Sequence, residues 1–121
     1  MSIGRERKVI EVTLPLPPSV NAMYKRGRGY GLYKSKEAKE WVTECLWLLK
    51  KNRKKFGGKV DVEIHFFFKR DSDIDNRIKP LLDLFQEAGV YKNDKQVYSI
   101  YVGKNLHKDE EPRVEVTIYE N

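Results

Sequence analysis

At 121 residues the chain can build one hydrophobic core and is too short for two, so a single domain spanning 1–121 is expected. Hydrophobic residues at 40% and charged residues at 35% describe a soluble globular chain; no apolar run is long enough to cross a bilayer and no apolar leader follows Met1, which together predict a cytoplasmic protein without membrane attachment. Residues 1–36 hold eight basic side chains against two acidic ones, and the rest of the chain balances, so the whole net charge of +6 lies in the first third. Such a local excess suits a polyanion, most often nucleic acid, although solubility alone would also account for it.

Lys8 to Leu14 alternates enough to read as a strand, and Pro15 to Pro18 ends it because proline donates no ladder hydrogen bond. Residues 1–7 before it are a basic extension, flexible or not. Asn21 to Lys34 carries Gly27, Gly29 and Gly31 among basic and aromatic side chains, the pattern of a mobile loop or loose hairpin. Ser35 can cap a helix to about Lys51, with Ala38, Trp41, Val42, Cys45, Leu48 and Leu49 on one apolar stripe. The lysines and arginine from Lys50 to Lys55 complement the dipole at its end, a structural role that needs no DNA. Cys45 falls on the stripe and reads as core; a lone cysteine with His65 and His107 far apart argues against a structural zinc site.

Val60 to Phe68 gives the clearest period-two pattern of the chain and predicts a core strand. A second helical stripe runs through Ile78, Leu81, Leu82, Phe85 and Ala88, with Gly89 as its stop. Val97 to Val102 and Arg113 to Tyr119 read as two closing strands joined by a polar segment. The order β-α-β-α-β-β implies an α+β domain, a mixed sheet covered by two helices.

Between the core strand and the second helix lies Asp71-Ser72-Asp73-Ile74-Asp75-Asn76, and Asp94 follows in a polar turn beyond that helix. Carboxylates held near one another repel and are tolerated best beside a cation or a hydrogen-bond donor. The spacing begins like a calcium loop, but Asn76 stands where the sharp turn needs glycine and Leu82 where a bidentate glutamate belongs. Helix capping explains one carboxylate and not the others, so capping and a metal site both stand at this point. Lys79, four residues after Asp75, is either a local ion pair or a cation facing a phosphate, and Pro80 leaves the direction of the first turn open. All-oxygen ligands suit Mg²⁺ or Mn²⁺, ions that polarise phosphodiesters and acidify water.

These features in order resemble the RusA family of Holliday-junction resolvases: Leu14-Pro15-Leu16-Pro17-Pro18-Ser19 with Asn21 and Tyr24, then Asp73-x-Asp75-Asn76 and Lys79, then Asn93-Asp94-Lys95-Gln96-Val97. No one motif is very specific; their order and spacing are. The resemblance implies a homodimeric, Mg²⁺-dependent endonuclease, with Mn²⁺ able to substitute, that introduces paired nicks in four-way junction DNA during recombination and repair, leaving 5′-phosphate and 3′-hydroxyl ends. It places the essential acids at Asp73, Asp75 and Asp94 and the essential lysine at Lys79. Asp71 lies outside the motif, Asn93 remains a neutral ligand at most, and the Ser2-to-Lys8 extension has no family role. Lys25, Arg26, Arg28 and Lys34, with Tyr24 and Asn76, are then the expected DNA contacts; Tyr24, Tyr30 and Tyr33 could equally stack on an unpaired base or pack on the protein. The rival readings are a non-catalytic basic module binding nucleic acid, and a nuclease acting on flaps or RNA.

Overall fold

The computed structural model describes residues 7–19, 24–27, 31–51 and 54–121, with the backbone alone for 24–27 and 31–33. Strand β1 (Val9–Leu14) is followed by a hairpin of β2 (Tyr24–Gly27) and β3 (Gly31–Lys34), then helix α1 (Lys36–Leu49) and strand β4 (Val60–Phe68). Helix α2 (Asp75–Glu87), a 3-10 turn (Asp94–Gln96), β5 (Val97–Leu106) and β6 (Arg113–Glu120) complete the domain. The predicted β-α-β-α-β-β order is present, with the glycine-rich segment added to it as a hairpin.

β4 alternates buried and half-buried residues along its whole length, which is why it sits inside the sheet order β1-β6-β4-β5. It runs antiparallel to β6 and parallel to β5, so the sheet is mixed, and α2 lies within the crossover between the parallel pair. Ile10 and Leu14 of β1, Val114, Val116 and Ile118 of β6 and the even-numbered residues of β4 bury one face. Ala38, Trp41, Val42, Cys45 and Leu49 of α1 and Leu81, Leu84 and Phe85 of α2 are buried with them in a two-layer core. Cutting a fully buried leucine such as Leu81 to alanine in such a core costs roughly 2–5 kcal/mol. The other sheet face is polar: Glu11, Thr13, Glu63, His65, Glu115 and Thr117 line one shallow surface.

Ser35 caps α1 as expected, its side chain accepting from Ala38 N–H at 3.1 Å. Lys50 and Lys54 are structural, but through other partners than the helix carbonyls: Lys54 donates to the Val9 carbonyl at 2.8 Å and Lys50 lies over Trp47. α2 ends as its sequence indicates, with Gly89 at φ +78° and the Gly89 and Val90 N–H groups donating back to Gln86 and Phe85 in a Schellman arrangement.

Two boundaries differ from the hydropathy pattern. β5 continues past Val102 to Leu106 because it pairs residue by residue with β4 as far as Phe68; pairing, not apolar alternation, sets its length. α2 starts at Asp75, a full turn-length before Pro80, so the proline is accommodated inside the helix after a tight first turn in which Arg77 N–H donates to Ile74.

Candidate active site

The acids follow directly from this topology. β4 ends at Phe68, the chain turns through Asp71 and Asp73, and α2 begins at Asp75, so the carboxylates collect at the carboxyl end of an internal strand, the usual place for a site in a parallel crossover. With α2 continuous through Pro80, Asp75, Lys79 and Asp83 repeat every four residues along one helix face, each about 6 Å further along the axis.

The ammonium of Lys79 lies 2.7 Å from Asp83 Oδ1 and 3.3 Å from Asp94 Oδ2. Asp94 reaches it because Tyr91, buried against α2, donates to the Leu82 carbonyl at 2.7 Å, and the Gln86 side chain accepts from Asp94 N–H at 3.0 Å. Gln96 clamps the same turn, accepting from Lys92 and Asn93 and donating to the carbonyls of Phe56 and Gly58. The hydrogen bond that Lys79 donates to Asp83 holds its pKa above the ordinary value, with Asp94 adding to it against partial burial. Burial, with the charges of Asp94 and Asp83 behind it, pushes the Tyr91 phenol up and keeps it neutral.

The other acids are placed differently. Asp75 Oδ1 accepts from the N–H of Asn76 at 2.9 Å within the first turn of α2, whose N-cap position, Ile74, offers no side-chain cap. Asp73 is exposed and has no hydrogen bond or ion pair among the described residues. Asp71 is held at 2.7 Å by Lys104 of β5, whose hydrogen bond and charge keep it below the usual carboxylate range; a structural partner explains its place outside the motif. Asn93 caps the 3-10 turn, accepting from Lys95 N–H at 2.9 Å.

The candidate DNA contacts divide. Lys34 pairs with Glu87 of α2 at 3.6 Å, which fastens the hairpin to the helix that carries Lys79. Asn76 turns its Oδ1 into the protein, where it is buried without a hydrogen-bond partner among the described residues. Tyr24, Lys25 and Arg26 lie on β2, paired with Lys34, Tyr33 and Leu32 of β3. Asn21, Arg28 and Tyr30 lie outside the described residues.

As donors, these oxygens fit a hard divalent cation in kind: three carboxylates and, next to Asp75 in sequence, the amide oxygen of Asn76, which has no hydrogen-bond partner among the described residues. In arrangement they are not yet gathered, since among the described residues no three acidic, histidine or cysteine side chains form a group able to hold a metal. The cation now neutralising Asp94 is Lys79 itself.

Two contributors escaped the sequence reading. Asp83 was legible in its four-residue spacing from Lys79. Arg77 was not, because its partners are remote: it donates to the Pro17 carbonyl and to Ser72 Oγ and lies over the Phe68 ring, tying the proline-rich exit of β1 to the acidic junction. The proline segment is tied down a second time by Trp41, whose indole donates to the Pro15 carbonyl at 2.9 Å.

An all-oxygen acidic junction at a strand end, flanked by a lysine and a basic hairpin, is the kind of site that hydrolyses phosphodiesters. A profile of the family described as Endodeoxyribonuclease RusA matches residues 15–119, and the chain belongs to that family, making it an endodeoxyribonuclease. It is 32% identical over 104 residues to the crossover junction endodeoxyribonuclease RusA of Aquifex aeolicus, over 81% of this chain and 79% of that protein. The protein of the same name from Escherichia coli strain K12 is 31% identical over 113 residues, 90% of this chain and 92% of its own. The match to the enzyme of Enterobacteria phage 82 has the same identity and coverage.

Proposed function

We propose that this chain resolves four-way (Holliday) junctions in DNA recombination and repair, nicking two strands symmetrically to leave 5′-phosphate and 3′-hydroxyl ends. The names of the relatives supply the junction; the observation that supports the reading is Lys79, ion-paired with Asp94 and one helical turn from Asp75, so that a single side chain stands near both separated parts of the acidic pattern. Asp73, Asp75 and Asp94 would hold Mg²⁺, with Mn²⁺ able to substitute. Such an ion, when bound, supplies Lewis-acid polarisation of the phosphodiester and an acidified water.

The chain's own residues do the rest. Lys79, kept charged by its carboxylate neighbours, meets the scissile phosphate and balances the charge that grows on it. Lys25 and Arg26 of β2 hold the DNA backbone together with Arg28, Lys34 and Tyr24, and Asn76 shapes the helix start. Two symmetric nicks require two sites, so the working unit is a homodimer. Its support is β5, an edge strand that exposes Tyr98, Ile100, Tyr101 and Leu106, most of the large hydrophobics found at the surface of the described residues. No described helix is long and apolar enough to cross a membrane; a cytoplasmic location is the part of this proposal that follows from DNA as the substrate.

The test is an incubation of the purified chain with labelled four-way junction, duplex, flap and RNA, with Mg²⁺ or with chelator. Symmetric nicks confined to the junction and lost in chelator are expected. Binding without nicking under every metal condition would make the chain a binding module, and cleavage of flaps or RNA instead would make it a different nuclease. Asp75→Asn should abolish cleavage while leaving junction binding within about threefold, because it removes a carboxylate and leaves the basic hairpin intact. Loss of binding with normal cutting per bound complex would contradict the assignment.

A further inference from the structure

Asp83 has no place in the reading so far, yet it is the nearer of the two partners of Lys79. It lies at 2.7 Å against 3.3 Å for Asp94, on the same helix and four residues away, a spacing the helix fixes whatever the rest of the site does. Asp94, by contrast, is carried on a separate turn. The side chains of Lys79, Asp83 and Asp94 are respectively 61%, 42% and 37% exposed, so water can replace either contact and the lysine can move between them.

We propose that Asp83 is the positioning residue that draws Lys79 away from Asp94, so that Asp94 can join Asp73 and Asp75 around a divalent cation. The inference rests on the metal reading of those three acids. A lysine with Asp94 as its sole partner would compete with the incoming ion for that carboxylate. With Asp83 beside it, the ammonium gives up one contact and keeps the other, and remains charged on the helix face between Asp75 and Asp83. That is where a phosphate held by the acids would meet it.

The experiment is calorimetric titration of Mn²⁺ into the full chain, without DNA, across a double-mutant cycle. Asp83→Asn should weaken Mn²⁺ binding by about three- to tenfold, the size of effect that coupled neighbours produce, and Asp83→Glu should restore most of it. Lys79→Gln should tighten binding, and in that background Asp83→Asn should change it by less than about twofold. Equal weakening in both backgrounds would show Asp83 acting through its own charge and would overturn the proposal, as would no effect in either. Asp94→Asn separates the premise from the inference: if it leaves Mn²⁺ binding unchanged, the metal reading fails first and the exchange fails with it. Urea midpoints of each variant distinguish a folding defect from a change at the site.

Discussion

Lys79 shows how much one side chain's environment depends on backbone continuity. Had α2 started after Pro80, the lysine would belong to a loop; because the helix begins at Asp75, it lies within reach of both Asp83 and Asp94. Asp61 makes the same point away from the site. It accepts from Ser99 Oγ at 2.5 Å and from the Asn121 side chain, joining β4, β5 and the end of the chain, and these hydrogen bonds, with the Arg7 charge, lower its pKa below 3.8. A carboxyl depressed on folding stabilises the fold fully above its ordinary pKa and loses that contribution as pH falls through the lower, folded value. Asp61→Asn should therefore be less stable than the parent at pH 7, and the gap should be smaller in acid that leaves both proteins folded, as pH falls toward the lowered folded value. Urea midpoints at the two pH values check this; a gap that persists in acid would mean the hydrogen bonds matter and the charge does not.

At the scale of elements, the two ends of α2 obey different rules. The C-terminal stop is local: Gly89 at φ +78° occupies a backbone region that costs an L side chain energy, and a Cβ there would meet nothing. Gly89→Ala should destabilise the domain by about 1 kcal/mol through backbone strain alone, measured by chemical denaturation. The comparison is Gly57→Ala, where the space is equally open and φ is not positive, so a similar loss at both positions would refute the strain explanation. The N-terminal end is set by tertiary contacts, above all Arg77 reaching Pro17, Ser72 and Phe68, and no local signal in Asp75-Asn76-Arg77 announces them. The apolar stripe of α1 was readable because burial against a sheet imposes a 3.6-residue period, and that of α2 in part, since Leu84 and not Leu82 is buried with Leu81 and Phe85; the extent of β5 was not readable, because Gly103-Lys104-Asn105 carries no alternation and is strand only through β4.

For the whole molecule, the contrast between the two sheet edges matters most. On β1, Lys54 covers the Val9 carbonyl, and Arg7 and Lys8 fasten the strand's start to Glu120 and Lys55. β5 carries four exposed large hydrophobic side chains and, among the described residues, no partner strand on its outer side. Bare apolar edges are rare in proteins that work alone, so the chain should sediment as a dimer at micromolar concentration. Ile100→Lys should shift it toward monomer and reduce paired nicking in favour of single nicks; a dimer indifferent to Tyr98, Ile100 and Tyr101 substitutions would place the interface elsewhere.

The sequence by itself determined the class of fold, most of the core and the helix stop at Gly89, since periodicity, turn chemistry and residue type are local properties that the chain carries everywhere it goes; Phe56, Leu84, Val90 and Tyr91 joined the core through tertiary packing. It also carried the family resemblance, which needs only order and spacing. Tertiary structure decided which acid meets which cation: Lys79 joins Asp83 and Asp94, Lys104 takes Asp71, and Asp73 is left without a partner among the described residues. Those pairings depend on a helix that continues through a proline and on a turn folded back along it by Tyr91 and Gln86, contacts between residues distant enough in sequence that no local pattern encodes them.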